Sequence, residues 1–312
     1  MNDSNKKQSF GFDNLEERKL KEIEHSRKRR SILQGFERHS DTDKSEKVEN
    51  LESVILDKDE FDYNFSNMKF YSITNKSEEF QYKWLKDRCA PGVKVLDFAC
   101  GNGENGIYAA RCGAEVIGID ISPEGIENAN FNAKQAGVDD HCRFEVMDGE
   151  NMTFPDNTFD LAVEYGALHH VDLDKAMIEL SRVLKPDGEM ICVEALRHNL
   201  LIHWYRKKTP HLRTEWEVEH ILGVESLAIA GKYFHNIGVK FFHLVVLVAV
   251  PFRKTWFFKP MRAFLDKIDS ILLKKEAIGK YGWIMIFIMS KPKKPEDCNH
   301  KCESQEAKIN AP

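Results

Sequence analysis

The sequence predicts an α/β fold in which a mostly parallel β-sheet is covered by helices on both faces. Five short apolar segments between residues 93 and 195 alternate with longer segments whose apolar residues recur at helical spacing. A glycine-containing turn directly follows the first apolar segment. This alternation is typical of parallel sheets, because each helix crosses back over the sheet to start the next strand.

The glycine turn lies within Val93–Ala110, which reads VKVLDFACGNGENGIYAA. Apolar, β-favouring residues lead into Asp97, and Gly101, Gly103 and Gly106 precede a segment rich in helix formers. Glycine permits a sharp turn and close approach of a ligand to the backbone. The order of strand, tight loop and helix N-terminus predicts a site for a nucleotide-like ligand.

The charge of Asp97 discriminates between two kinds of ligand. The glycine spacing also fits dinucleotide-binding dehydrogenases, but a carboxylate four residues before Gly101 would repel a pyrophosphate. Two like charges about 4 Å apart repel by roughly 4 kcal/mol at an effective dielectric constant near 20. S-adenosylmethionine instead carries an ammonium and a sulfonium group, and its carboxylate could bind the free N–H groups of the loop.

The run resembles the first motif of class I S-adenosylmethionine-dependent methyltransferases, whose usual form is close to VLDLGCGTG. Ala99 replaces the first glycine of that motif, and Asn102 replaces its threonine. The segment RVLKPDGEMICVE is similar to the final core motif of the ubiquinone/menaquinone-methylase type. The resemblance is strong from Val93 to Ala195 and looser to Pro292. It implies a Rossmann-like, seven-stranded sheet whose last strand, Trp283–Ser290, is antiparallel and inserted beside the fifth.

Acidic residues end the next two predicted strands. Glu115–Ile121 contains Asp120, which can accept hydrogen bonds from both ribose hydroxyls of the donor. Cys142–Met147 is followed by Asp148, to which the resemblance assigns the adenine amino group. The predicted donor-binding residues are Asp97, Ala99, Gly101, Asn102, Gly103, Asp120, Ile121, Asp148, Gly149 and Glu164.

The fourth predicted strand, Phe159–Glu164, leads to a candidate base. Methyl transfer is an in-line displacement, so the enzyme mainly aligns the nucleophile and excludes water. An oxygen or nitrogen nucleophile can also need a general base near the methyl group. Glu164, His169 and His170 are the candidate catalytic residues. The alternative is that the two histidines pack the loop and bind backbone carbonyls.

Residues 196–290 are predicted to bind the methyl acceptor and to supply the last two strands. The most apolar stretch, Val239–Phe252, is too short to span a bilayer. We predict that it is a buried sixth strand, followed by a helical cap. The alternative is an interfacial patch that continues through Trp256 and Phe264. This apolar content favours a small, apolar or lipid-like acceptor, although a sugar is also compatible.

The remaining segments are predicted from composition. Residues 1–60 form a charged extension, disordered or helical; residues 61–90 form a leading helix or lid; residues 91–195 form the donor-binding core; residues 291–312 form a polar tail.

A net charge of −5 disfavours a nucleic-acid partner. Seven scattered cysteines and no signal-like apolar start indicate a cytoplasmic protein, with peripheral membrane contact left open. No metal is predicted, because Cys298, His300 and Cys302 lack a fourth ligand.

Two other functions compete with methyl transfer from S-adenosylmethionine to a small molecule. A short-chain NAD(P)-dependent oxidoreductase would need Tyr-x-x-x-Lys after the core strands, and the only such spacing, Tyr82 to Lys86, precedes the glycine loop. A non-catalytic binding module would not need the set of strand-end acids. The sequence therefore favours a methyltransferase, and it gives no indication of oligomeric state.

Overall fold

The computed structural model describes residues 15–28 and 65–294, which contain a seven-stranded β-sheet. Its strands are β1 (Lys94–Phe98), β2 (Glu115–Asp120), β3 (Cys142–Val146), β4 (Phe159–Tyr165), β5 (Leu184–Ala195), β6 (Phe234–Phe242) and β7 (Ile284–Pro292). They lie in the order β3-β2-β1-β4-β5-β7-β6. The first five strands are parallel, and β7 is antiparallel to both β5 and β6. The predicted fold class is confirmed.

Helices cover both faces of the sheet. The α-helices are α1 (residues 17–28), α2 (Asn75–Arg88), α3 (Glu104–Arg111), α4 (Pro123–Ala136), α5 (Leu173–Val183), α6 (Leu200–Lys208), α7 (Glu215–His220), α8 (Leu227–Tyr233), α9 (Phe258–Leu272) and α10 (Glu276–Gly279). Short 3₁₀ helices occupy Ser66–Ile73, Leu168–His170, Pro210–Leu212, Val224–Ser226 and Val245–Phe252.

Two helix starts follow the sequence signals. The Ser122 hydroxyl accepts a hydrogen bond from the Gly125 N–H at 3.2 Å, with Pro123 as the first residue of α4. The Asp172 carboxylate accepts one from the Lys175 N–H at 3.2 Å and begins α5. Each cap pairs an N–H group that has no partner within its helix, so these positions fix where the helices begin.

The core consists of two apolar layers, one on each face of the sheet. Successive side chains of β1 alternate between them: Val95 belongs to one layer, and Leu96 and Phe98 belong to the other. All three are at most 1% exposed. Burial on both faces explains why the central strands read as continuous apolar runs.

The predicted sixth strand is wrong in its position. The strand ends at Phe242, and Val245–Phe252 forms a 3₁₀ helix instead. His243 takes a positive φ of 62°, and the buried Asp269 carboxylate accepts hydrogen bonds from the three successive N–H groups of residues 244–246 at 2.8–3.2 Å. The turn therefore depends on an acid more than twenty residues later, which apolar periodicity cannot reveal.

Two expectations about secondary structure in the C-terminal half agree with the structure. The connection from β6 to β7 is helical and contains α9 and α10. Strand β7 lies between β5 and β6 as expected. Within residues 15–28 and 65–294, every helix is too short or too polar to cross a bilayer. The Cys298, His300 and Cys302 cluster, and most of the polar tail, lie outside the described residues.

Candidate functional site

A cavity of about 450 Å³ lies over the carboxyl ends of the parallel strands. Its lining includes Ala99, Gly101, Asp120 and Asp148, which follow β1, β2 and β3. Open α/β sheets bind ligands at this edge, and cavities of this size hold small molecules. Six of the ten predicted donor-binding residues line this cavity: Ala99, Gly101, Asp120, Ile121, Asp148 and Gly149.

Asp120 is held in a fixed orientation on that wall. One of its carboxylate oxygens accepts a hydrogen bond from the Gly101 N–H at 2.9 Å, and the other accepts one from the Ser122 N–H at 2.8 Å. These bonds join the glycine loop to the end of β2. Each oxygen retains a lone pair toward the cavity, so the carboxylate can still accept from a ribose diol.

Asp148 lies at the neighbouring strand end, but a lysine already contacts it. Lys19 of α1 places its Nζ 2.6 Å from Asp148 Oδ2 and 2.9 Å from Glu150 Oε2. The other oxygen of Asp148 accepts from the Glu150 N–H at 2.9 Å. An adenine amino group at this acid would therefore share the carboxylate with Lys19.

Helix α1 also forms a wall of the cavity, a contact that its sequence does not predict. Arg18 donates to both oxygens of Glu150 at 2.7 and 2.9 Å, and its guanidinium lies 4.4 Å from the ring centroid of Trp216. Lys175 contacts Glu16 at 2.9 Å beside this junction. Composition predicted only a charged extension here, whereas Arg18 and Lys19 pair with Asp148 and Glu150 of the core.

The glycine loop has the conformation that its sequence demands. Gly101 and Gly103 have positive φ angles of 58° and 84°. Ala99, which replaces a glycine of the motif, also takes a positive φ, 51°. A non-glycine residue in this region costs on the order of 1–3 kcal/mol, so the substitution is accommodated with strain.

Asp97 lies beneath the loop and does not line the cavity. Its side chain is 1% exposed, and its carboxylate accepts a hydrogen bond from the Gly106 N–H at 2.8 Å. Burial raises the pKa of Asp97 to about 8. Its predicted contact with the donor ammonium group stays a prediction.

Three other predicted residues also lie behind the cavity wall. Asn102 accepts from the Asn132 side chain through its backbone carbonyl at 3.1 Å, on the α4 side of the loop. Gly103 packs against Phe144, and Glu164 is completely buried. Glu164 does not line the cavity, and its predicted contact with donor or acceptor stays a prediction. Ile121 and Gly149 do line it.

His169 is oriented by a residue that sequence reasoning missed. Glu194, fully buried near the end of β5, accepts a hydrogen bond from the Leu168 N–H at 2.6 Å, and its other oxygen lies 2.7 Å from His169 Nδ1. The His169 ring lines the cavity. A histidine whose Nδ1 bonds a carboxylate presents Nε2 to a reacting group. The signal was available in the sequence, since Glu194 is an acid near the end of an apolar strand.

Glu164 and Glu194 form a buried pair whose pKa values are shifted in opposite directions. Burial and the adjacent Glu194 carboxylate raise the pKa of Glu164 well above its usual value. Burial alone would raise the pKa of Glu194 as well, but His169 and the Leu168 N–H lower it overall. The charged form is therefore favoured at Glu194, beside His169, and the neutral form is favoured at Glu164.

His170 points to the N-terminal helix. Its Nδ1 lies 2.9 Å from Glu22 Oε2, and Glu22 also contacts the Thr214 hydroxyl. Burial lowers the pKa of His170, but the Glu22 carboxylate raises it overall.

Ligand atoms of His169, His170 and Glu217 lie within 4.8 Å of one another, a spacing that could hold a metal ion. All three already have partners: His169 contacts Glu194, His170 contacts Glu22, and Glu217 contacts Arg213 at 3.3 Å.

The far end of the cavity is aromatic and aliphatic. Phe70 packs edge-on against Tyr205 and Trp283, with ring centroids 4.8 and 5.8 Å apart, and all three line the cavity. Ile202 and Ile284 lie beside them. Arg206 and Arg213 also contribute, and burial together with Arg213 lowers the pKa of Arg206 to about 10. This end suits an apolar molecule with a polar or anionic group.

The opposite end fits S-adenosylmethionine by its chemistry. Asp120 and Asp148 supply acceptors for ribose hydroxyls and an amino group, and the apolar side chains of Ile121 and Met147 line the same wall. Pairs of acceptors beside an apolar surface are what a purine nucleoside requires. The free N–H groups of the loop and the start of α3 can hold a carboxylate.

Comparisons with known proteins agree with this arrangement. A family model described as a methyltransferase domain matches residues 90–238. The chain is 31% identical over 182 residues to a ubiquinone/menaquinone biosynthesis C-methyltransferase of Hydrogenovibrio crunogenus, covering 55% of this chain and 67% of that protein. It is 33% identical over 136 residues to a sterol 4-C-methyltransferase of Caenorhabditis elegans, covering 43% and 40% of the two chains.

A solved structure shares the fold. The chain superposes on a protein of Pyrococcus horikoshii with a TM-score of 0.50 at 21% identity, covering 72% of this chain and 91% of that one. Three of the curated relatives are matched over only 37% to 42% of their own length. The chain therefore matches less than half the length of these relatives. On the family model and the quinone-pathway relative, this chain belongs to the class I S-adenosylmethionine-dependent methyltransferases, a family whose methyl donor is S-adenosylmethionine.

Proposed function

We propose that the protein transfers a methyl group from S-adenosylmethionine to a small, predominantly apolar acceptor. One observation carries the proposal: a single cavity has strand-end acids and the glycine loop at one end and the aromatic cluster at the other. The cluster comprises Phe70, Tyr205 and Trp283. A donor bound over Asp120 would direct its reactive end toward the middle of the cavity.

The apolar end supports an acceptor of the same character. Aromatic and aliphatic side chains can hold an apolar acceptor in a fixed orientation beside the donor. They also exclude water, which prevents competing hydrolysis. Relatives named as sterol and quinone-pathway methyltransferases act on acceptors of this kind. The acceptor of this chain is proposed on the lining of its own cavity.

Deprotonation of the acceptor is assigned to His169. Its ring lines the cavity, and the charged Glu194 holds its Nδ1 side. The sulfonium of the bound donor supplies an activated methyl group. The histidine accepts the proton from an O–H or N–H nucleophile, and the neighbouring carboxylate stabilises the resulting imidazolium. An acceptor that is methylated at carbon would also need a base if it loses a carbon-bound proton in the reaction.

Donor binding tests the first half of the proposal. S-adenosylhomocysteine should raise the melting temperature of the purified full chain, and NAD should not. Asp120→Ala should abolish the shift, whereas Asp140→Ala, at an exposed acid outside the cavity, should preserve it. Stabilisation by NAD alone would favour the oxidoreductase interpretation.

Labelled methyl transfer tests the second half. The protein is incubated with methyl-labelled S-adenosylmethionine and a lipid extract or an aqueous extract of cells. We expect label to enter a product that partitions into organic solvent. Label confined to water-soluble product would contradict the apolar acceptor, and donor binding without any transfer would favour a non-catalytic module.

A further inference from the structure

The exposed surface beside the aromatic end of the cavity carries large apolar side chains. Trp256 is 90% exposed, Leu200 78% and Phe264 64%. Trp204, Val248 and Ile271 are also more than half exposed. They belong to α6, to the 3₁₀ helix Val245–Phe252, to the loop after it and to α9. Exposed apolar groups in such number mark an interaction surface.

Contacts between these elements make the surface continuous. Phe70 of the 3₁₀ helix Ser66–Ile73 packs against Tyr205 of α6, and Arg262 of α9 donates to the Ser72 carbonyl at 3.2 Å. Tyr71 lies between them, 48% exposed, and also lines the cavity. We call residues 66–73, 200–208 and 248–271 the apolar-basic face.

The charge of this face is opposite to that of the whole chain. The protein has 50 acidic and 45 basic residues, yet the face contains only two acids, the half-buried Asp266 and the buried Asp269, and residues 226–265 and 195–214 contain no Asp or Glu. Residues 63–77 contain none either. Exposed lysines alternate with the apolar side chains on the face: Lys207, Lys208, Lys254, Lys259 and Lys267.

The exposed side of α9 shows the pattern on a single helix. Phe264 and Ile271 are seven residues apart and so share a face, and Lys267 lies between them. Lys274 follows directly after the helix and is also exposed. Two exposed large apolar residues flanked by lysines are typical of helices that lie in a bilayer interface.

We propose that the apolar-basic face docks on the surface of an anionic lipid bilayer. Trp256 and Phe264 would enter the interface, and the lysines would contact lipid phosphates. Tryptophan is enriched at that depth, and each lysine near an anionic surface strengthens binding several-fold. Interfaces between proteins are instead depleted in lysine, so a lipid surface fits this composition better.

Vesicle flotation with the full chain tests the proposal. At low salt the protein should float with phosphatidylcholine vesicles that contain phosphatidylglycerol and stay in solution with phosphatidylcholine alone. Trp256→Ser with Phe264→Ser should lower the bound fraction about tenfold or more, as should Lys254→Glu with Lys259→Glu. Phe131→Ser is the matched control, since Phe131 is 62% exposed on α4, away from the face.

Three outcomes would overturn the proposal. The first is failure to bind anionic vesicles, and the second is an equal loss of binding in the Phe131 control. The third is a fall in native mass in the face variants, which would show that a second copy of the chain covers the face. Stabilisation by S-adenosylhomocysteine is measured on every variant, so that loss of lipid binding is separated from misfolding and from failure of the proposed function.

Discussion

The carboxylate of Glu194 lies 2.7 Å from Nδ1 of His169, and a second buried acid, Glu164, stands behind it. Burial raises the pKa of both acids, but contacts with His169 and the Leu168 N–H lower that of Glu194 overall, so the two carboxyl groups favour different charge states. A carboxylate that fixes the orientation of an imidazole is a recurrent device for a general base. The relationship gives Glu194 a positioning role, since it does not itself reach the cavity.

Glu194→Gln should lower kcat about tenfold or more while the KM for S-adenosylmethionine changes less than about twofold, because the donor binds at other strand ends. His169→Ala should lower kcat about a hundredfold. Steady-state kinetics with the acceptor found by labelling check both. Glu189→Gln, at a half-exposed acid on the same strand, is the control. A parallel rise in the donor KM for Glu194→Gln would indicate structural damage instead.

The raised pKa of Asp97 predicts a pH dependence of donor binding. Without donor, Asp97 is mostly protonated below about pH 8, because burial disfavours its charge. An ammonium group needs the anion, so binding releases a proton below that pH. Affinity for S-adenosylhomocysteine should therefore rise with pH, by up to about tenfold per unit, and level off near pH 8.

Calorimetric titration in buffers of different ionisation enthalpy measures that proton release. Asp97→Asn should weaken binding and abolish the pH dependence. A pH-independent affinity in the unmodified protein would show that Asp97 does not meet the ammonium group. The same shift affects stability with the opposite sign: a carboxyl group whose pKa is raised by folding destabilises the donor-free protein as the pH rises from about 4 to 8.

The glycine loop is constrained by packing as well as by backbone angle. A Cβ on Gly103 would lie 2.8 Å from the Phe144 ring and 3.0 Å from Ala129 Cβ, whereas one on Gly137 would meet nothing within 4 Å. Both glycines have positive φ. Gly137→Ala should cost about 1–2 kcal/mol in the free energy of unfolding, and Gly103→Ala at least about 1 kcal/mol more. Urea denaturation compares them, and equal costs would mean that Phe144 gives way freely.

The core of the fold was predictable because its signals are local. Turn glycines, strand-end acids and helix caps such as Ser122 and Asp172 each lie within a few residues of the element that they fix. The turn after β6 was not, because it depends on Asp269, which lies far along the chain. A continuous apolar run suits a buried strand and a packed 3₁₀ helix equally well.

The candidate site divides in the same way. Asp120 and Asp148 lie on the cavity wall as their strand-end positions suggested. Glu194 was missed because it acts through a side-chain contact between β5 and the 3₁₀ helix after β4. The residues of α1 were missed because they reach the site from outside the core motifs. An alternation of acidic and basic residues is compatible both with a solvated helix and with a helix that is anchored to the core. Only the structure shows that Arg18 and Lys19 of α1 have partners in the core.

Glu150 is the anchor of α1, and its removal should release the helix from the cavity. Its side chain is 1% exposed and contacts both Arg18 and Lys19, which are themselves largely buried. Glu150→Gln removes a charged partner from both Arg18 and Lys19. Loss of one member of a buried ion pair costs about 3–5 kcal/mol. We expect amide exchange of residues 17–28, followed by mass spectrometry, to accelerate more than that of the sheet.

Glu145→Gln is the control for this change, since its side chain is 40% exposed and its ion pair with Arg143 is long, 3.7 Å. It should leave exchange of residues 17–28 unaltered. Bound S-adenosylhomocysteine should slow that exchange in the unmodified protein, because Lys19 shares Asp148 with the donor site and the helix closes the cavity over it. Unchanged exchange in Glu150→Gln would mean that apolar packing, and not this charge cluster, holds α1 in place.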